Sequence, residues 1–164
     1  MDEAGMSYRA MVITASNRSA AGVRPDTSGP ILVAGLRELG LEVAEPLVVP
    51  DGEPVGEALR AAVASGIALI LTTGGTGLSP TDRTPEMTRL VIDREVPGLA
   101  DAIRGYGVQH GIATAVLSRG IAGLAGRVLI INAPGSPGGC RDAIAALSPV
   151  LLHALDQISG LDHG

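Results

Sequence analysis

The stretch Ile67-Ala68-Leu69-Ile70-Leu71-Thr72-Thr73-Gly74-Gly75-Thr76-Gly77-Leu78-Ser79-Pro80-Thr81-Asp82 organises the chain. Its apolar half, Ile67 to Leu71, is short, uninterrupted and β-capable, the pattern of a strand buried on both faces. It opens into three glycines within four positions, Gly74, Gly75 and Gly77. Glycine permits φ > 0 and lets backbone N–H groups approach a ligand closely, and oriented N–H groups form an anion-binding concavity. Asp82 follows at short range. A carboxylate beside a phosphate cradle repels its guest unless a cation such as Mg²⁺ lies between them, so the pairing points to nucleotide chemistry. Taken alone, the glycine run also fits a simple tight turn. It is neither of two familiar phosphate loops. A P-loop ends in Lys-Ser/Thr, and here all 12 cations are arginine. The dinucleotide fingerprint needs a third glycine where Pro80 stands, and it belongs after the first strand.

Working outward from this strand, Tyr8 to Ala15 reads as the first strand and Ser16 to Asp26 as a polar loop. A helix over 28–40 follows, capped by Asp26 or Thr27, with Pro30 in its first turn and Gly40 as its stop. Glu42 to Pro50 reads as the second strand. Residues 54–65 read as a helix with Val55, Leu59 and Val63 on one face. Downstream, Thr84 is expected to cap a helix that has Pro85 at its first position, and Pro97 starts another. Residues 112–118 fit either a short strand or an extended connector. Arg127 to Ala133 is a buried strand, and 139–159 is two helices, the second capped by Ser148 before Pro149. Alternating strands and helices predict an α/β fold of three layers, a mainly parallel sheet with helices on both faces and right-handed crossovers. Residues 1–7 read as a disordered leader and 8–164 as a single domain.

Composition narrows the partners. A net charge of −5 and the lack of a basic run argue against nucleic acid. Tyr8 and Tyr106 are the only aromatics, too few for base-stacking platforms. No apolar stretch reaches membrane-spanning length and no signal-peptide pattern opens the chain, so no membrane partner and a cytoplasmic location are expected. Cys140, the sole cysteine, excludes disulfide scaffolding and reads as a small buried residue. His110, His153 and His163 lie apart, without the spacing of zinc ligands.

In a sheet of this kind, ligands bind outside the carboxyl ends of the strands. The first strand ends at Ser16-Asn17-Arg18, the second at Asp51, the third at the 74–77 glycines with Asp82 beyond, and the last at Pro134-Gly135-Ser136-Pro137. The small polar loops and both best-placed carboxylates therefore fall on one rim, although such loops are often polar and glycine-rich for structural reasons alone. No Cys or His stands beside a candidate nucleophile, which disfavours acyl transfer. Backbone donors, hydroxyls, arginines and carboxylates suit phosphoryl or nucleotidyl transfer, where positioning and charge neutralisation dominate. A phosphate nucleophile is already ionised at neutral pH and needs no general base.

The segments Thr72 to Gly77 and Asp82-Arg83-Thr84-Pro85-Glu86 resemble those of the bacterial molybdopterin adenylyltransferase family of molybdenum cofactor biosynthesis. The likeness extends to Thr14 to Arg18, Asp26-Thr27-Ser28-Gly29, Val49-Pro50-Asp51, Leu117-Ser118-Arg119 and Asn132 to Pro137, in the family's order. The resemblance implies AMP transfer from Mg-ATP to the terminal phosphate of molybdopterin, with release of pyrophosphate. It implies Mg²⁺ as cofactor, ATP and molybdopterin as substrates, a homotrimer, and transient contact with a molybdate-inserting enzyme. Asp51 and Asp82 would be the catalytic and metal-binding pair. Gly74, Gly75, Thr76, Gly77, Ser16 and Arg18 would bind the nucleotide, and Ser118, Arg119, Pro134, Gly135, Ser136 and Pro137 the pterin substrate. The chain departs from the pattern at Asn17, where many relatives have Asp, and at Gly138, where many have Lys; Arg141, one turn on, is the candidate substitute. These departures keep a non-catalytic pterin-binding or scaffolding role open. A nucleotide pyrophosphatase on the same fold is the third reading.

Overall fold

Three strands that are apolar on both faces form the centre of the sheet. The computed structural model describes residues 7–161. β1 (Arg9–Ala15), β4 (Leu69–Thr73) and β7 (Val128–Ala133) run parallel and adjacent, with Val12 opposite Leu71 and Leu71 opposite Ile131. Alternate side chains point to opposite faces. Val12, Leu69, Leu71, Leu129 and Ile131 pack on one side with α2 (Gly29–Glu38), α5 (Pro97–Gln109), α6 (Pro137–Leu147) and α7 (Leu151–Ser159). Ile13, Ile70 and Ile130 pack on the other with α3 (Glu53–Ala64) and Met87 of α4 (Thr84–Arg89). The expected three-layer, mainly parallel α/β architecture is the one observed.

The second strand is broken in two. β2 (Glu42–Val43) and β3 (Leu47–Val49) both pair in parallel with β1, at its start and its end, separated by Ala44-Glu45-Pro46. Pro46 has no N–H to give to a ladder, so the break falls there. The polar loop after β1 contains one short helical turn, α1 (Asn17–Ala20), which Ser16 caps by accepting from the Ser19 N–H at 3.1 Å.

The antiparallel end of the sheet goes beyond the sequence reading. β6 (Ala122–Ala125) pairs antiparallel with β7 through a two-residue loop at Gly126-Arg127, and β5 (Arg94–Glu95) extends the sheet from β6. Ala122-Gly123-Leu124-Ala125 carries no β-branched residue and so hides its strand. Gly123 is required there, because a Cβ would sit 2.5 Å from the Arg94 carbonyl oxygen. Residues Ala113–Leu117 form a 3₁₀ turn rather than a strand.

Two expected caps differ. α4 begins at Thr84 itself, and the Thr84 hydroxyl is buried without a hydrogen-bond partner among the described residues. Ser148 closes α6, donating to the Ile144 carbonyl at 2.6 Å, and α7 starts only at Leu151. Of the leader expected over residues 1–7, all but Ser7 lies outside the described residues, as does His163; the Ser7 hydroxyl donates to the Gly40 carbonyl at 3.1 Å. Among the described residues no helix is long and apolar enough to cross a membrane.

Candidate functional site

Parallel pairing places the ends of β1, β3, β4 and β7 on one edge: Ala15 is opposite Val49, Thr14 is opposite Thr73, and Thr73 is opposite Ala133. Each strand therefore delivers its following loop to the same rim. A cavity of about 390 Å³ opens there, bordered by Ser16, Asn17, Arg18, Asp26, Asp51, Gly74, Gly75, Asp82 and Gly135. A second, of about 350 Å³, is bordered by Ile103, Arg104, His110, Ile112, Ser118, Pro134, Ser136 and Gly138. The 134–136 segment is common to both walls, with Gly135 on the first cavity and Pro134 and Ser136 on the second.

The glycine turn is built from close backbone approaches. Gly74 and Gly75 have φ of +90° and +69°. A Cβ on Gly74 would lie 2.2 Å from the Ala15 carbonyl oxygen, and one on Gly75 would lie 2.2 Å from Thr84 Oγ1 and 3.2 Å from Asp51 Oδ1. Gly135 packs directly on Gly74, its ideal Cβ position 3.3 Å from the Gly74 Cα. Thr76 is buried. Asp82 accepts from the Ser79 N–H at 3.0 Å, and a Cβ on Gly77 would come within 2.8 Å of the same carboxylate oxygen.

Asp51 is held by its own backbone: its N–H donates to Asn17 Oδ1 at 2.9 Å. Burial pushes the Asp51 carboxyl above its ordinary range; a hydrogen bond from the Asn17 backbone opposes this, and the Asp82 charge adds to it. Asp51 and Asp82 share this cavity with Asp26, Arg18 and Arg24, and of the two the Asp51 carboxyl resists ionisation. Among the described residues no group of three or more His, Cys, Asp or Glu gathers into a closed metal cage. That donor set fits Mg²⁺, which takes one or two carboxylates and completes its shell with water and substrate phosphate oxygens. Asp26 works as a helix cap, accepting from the Ser28 and Gly29 N–H groups at 3.2 and 3.0 Å, and from the Thr14 hydroxyl at 2.8 Å.

The remaining sequence candidates divide. Ser118 borders the second cavity. Ser136 also does, and it caps α6 by accepting from the Gly139 N–H at 3.0 Å; Pro137 opens that helix. The Arg119 guanidinium is turned into the protein, donating to the Gly77 and Asp82 carbonyls at 2.8 and 2.7 Å and pairing with Glu86. Arg141 is exposed and borders neither cavity. Sequence reasoning missed Asn17 as the partner of Asp51, Arg24 on the rim of the first cavity, and the Asn132 network. Asn132 donates to the Thr72 and Thr88 hydroxyls at 2.9 and 3.0 Å and accepts from the Ile121 N–H at 3.1 Å. The signal for the network was available, since an amide inside an apolar strand must be satisfied when buried. Cys140 is fully buried, as expected, and burial pushes its thiol up.

An α/β sheet with a cavity at the carboxyl ends of its strands and a second beside it is the arrangement in which folds of this class bind small molecules. The chain belongs to the family described as the probable molybdopterin binding domain, which matches residues 11–153. It is 40% identical over 157 residues to a molybdenum cofactor biosynthesis bifunctional protein of Synechococcus elongatus, covering 94% of this chain and 49% of that protein. It is 33% identical over 153 residues to a molybdopterin adenylyltransferase of Helicobacter pylori, covering 91% of this chain and 86% of that one. The solved molybdopterin biosynthesis Mog protein of Mycobacterium ulcerans superposes with a TM-score of 0.89 at 51% identity, covering 95% of this chain and 99% of that one. The chain spans about half the length of the first curated relatives it matches.

Proposed function

We propose that the chain is a molybdopterin adenylyltransferase, moving AMP from Mg-ATP to the terminal phosphate of molybdopterin and releasing pyrophosphate. The observation that carries this reading is the shared wall: one cavity with carboxylates and glycine amides adjoins a second, more apolar one across the 134–136 segment. A reaction between a nucleotide and a pterin phosphate needs two such compartments meeting at one point.

The triphosphate lies in the first cavity, along the Gly74 and Gly75 amides, with Ser16 and Arg18 on its outer side. Thr76 and Gly77 complete the turn. The pterin occupies the second cavity beside Ser118, with Pro134, Gly135, Ser136 and Pro137 leading its phosphate toward the first. An oxygen of that phosphate attacks the α-phosphorus of ATP. The bond from the α-phosphorus to the bridging oxygen breaks, and its electron pair leaves with pyrophosphate. Asp51 and Asp82 would hold Mg²⁺, which would supply positive charge against the negative charge of the phosphates. Such a cation would oppose the burial that raises the Asp51 carboxyl. Neither carboxylate abstracts a proton, because the attacking phosphate is already an anion.

The exposed apolar side chains Val108, Ile112, Val116 and Leu117 support subunit contact, in keeping with a trimer. A cytoplasmic location and transient contact with a molybdate-inserting enzyme complete the reading. Incubation with molybdopterin and Mg-ATP tests it: pyrophosphate and adenylylated molybdopterin are expected, with loss of both in Asp82→Asn. Unchanged turnover in that variant rejects the assigned role. Pyrophosphate released without pterin favours a nucleotide pyrophosphatase, and pterin binding without ATP turnover favours a scaffolding role.

A further inference from the structure

The 74–82 loop has little regular structure of its own. Within it, the Asp82 N–H donates to the Ser79 carbonyl at 3.0 Å and its carboxylate accepts from the Ser79 N–H, closing one local turn. That turn is tied to the rest of the protein largely by one residue. The Arg119 backbone N–H donates to the Thr76 carbonyl at 2.8 Å, its Nε to Gly77 and its Nη2 to Asp82. Its Nη1 pairs with Glu86 on α4, whose carboxyl it holds below the usual range. The backbone N–H thus holds one loop carbonyl, and the guanidinium gives three of its five N–H groups to two more loop carbonyls and one carboxylate. Arg119 borders neither cavity, and its engaged N–H groups face the loop and α4.

We propose that Arg119 is a positioning residue, and that with Glu86 it clamps the 76–82 turn so that the Asp82 carboxylate is presented to the first cavity. It is then not a ligand of the pterin substrate. The clamp rests on the reading of Asp82 as a reacting-site carboxylate. The planar fork matters: a lysine at 119 supplies charge but cannot bond two carbonyls and a carboxylate in one plane.

Two independent readouts test the proposal. The first is amide hydrogen exchange over 76–82 in the full chain, which requires no catalysis. Arg119→Ala and Arg119→Lys are expected to accelerate exchange there at least tenfold and to leave β4 and β7 unchanged. Unchanged exchange overturns the clamp. The second is Mg²⁺ dependence. In Arg119→Ala and in Glu86→Gln, the Mg²⁺ concentration giving half-maximal pyrophosphate release is expected to rise several-fold, with the KM for molybdopterin within about twofold of the original. A tenfold rise in that KM with unaltered Mg²⁺ dependence overturns the proposal and returns Arg119 to the substrate. If the unaltered protein releases no pyrophosphate, the adenylyltransferase reading fails. Hydrogen exchange, together with calorimetric titration of Mg²⁺ alone, still decides the clamp.

Discussion

The side-chain oxygen of Asn17 accepts the backbone N–H of Asp51 at 2.9 Å, joining the loop after β1 to the loop after β3. The two loops meet because Ala15 pairs with Val49 two residues earlier on each strand. Asn17 is thus a structural strut for Asp51, although a carboxylate at its position could accept the same bond. Removing the acceptor in Asn17→Ala costs about 1 kcal/mol of placement, roughly a fivefold fall in turnover. Asn17→Asp keeps the bond and adds a carboxylate to the Asp26, Asp51 and Asp82 already on the cavity. The expected result is a several-fold lower Mg²⁺ requirement, read from a metal titration of the rate.

Asp51 links activity to pH and stability. Its carboxyl sits above its ordinary value of 3.8, through burial and then the Asp82 charge. A raised acid contributes stability that is fully present below the unfolded value and lost as pH rises through the folded one. Ionisation of Asp51 therefore works against folding. Asp51→Asn is expected to raise the melting temperature at pH 7, with the gain shrinking toward pH 4, while turnover is lost. A gain of equal size at both pH values would assign it to packing instead.

Gly75 and Gly22 separate backbone strain from steric closure. Both have positive φ, +69° and +74°. A Cβ at Gly22 meets nothing within 4 Å, whereas at Gly75 it strikes Thr84 Oγ1 and crowds Asp51. Gly22→Ala is expected to cost about 1–2 kcal/mol, the left-handed penalty alone. Gly75→Ala is expected to cost clearly more and to abolish ATP binding. Urea unfolding of the two variants makes the comparison, and equal costs would contradict it.

Asn132 is 2% exposed and satisfies three groups at once, two of them hydroxyls of buried threonines. Asn132→Ala leaves the Ile121 N–H and the Thr72 and Thr88 hydroxyls without that partner, at a cost of about 3 kcal/mol. For a chain of this size that lowers the melting temperature by roughly 6–12 °C. A loss under 1 kcal/mol would show that the hydroxyls find other partners.

The amino-acid pattern alone determined the three-layer α/β architecture and the rim on which the first cavity opens. Double-sided apolar runs such as Leu69 to Leu71 and Val128 to Ile131 are local signals, and the rule that parallel strands open toward ligands carries them to a place. The antiparallel β5–β6 end was hidden because small residues such as Gly123 reveal strand structure only through what they must pack against. Tertiary structure decided which groups meet. Asn17 reaches Asp51 across 34 positions, and Arg119 reaches Gly77 across 42. Such bonds depend on strand register and on distances of a few ångström, and neither leaves a trace in local sequence.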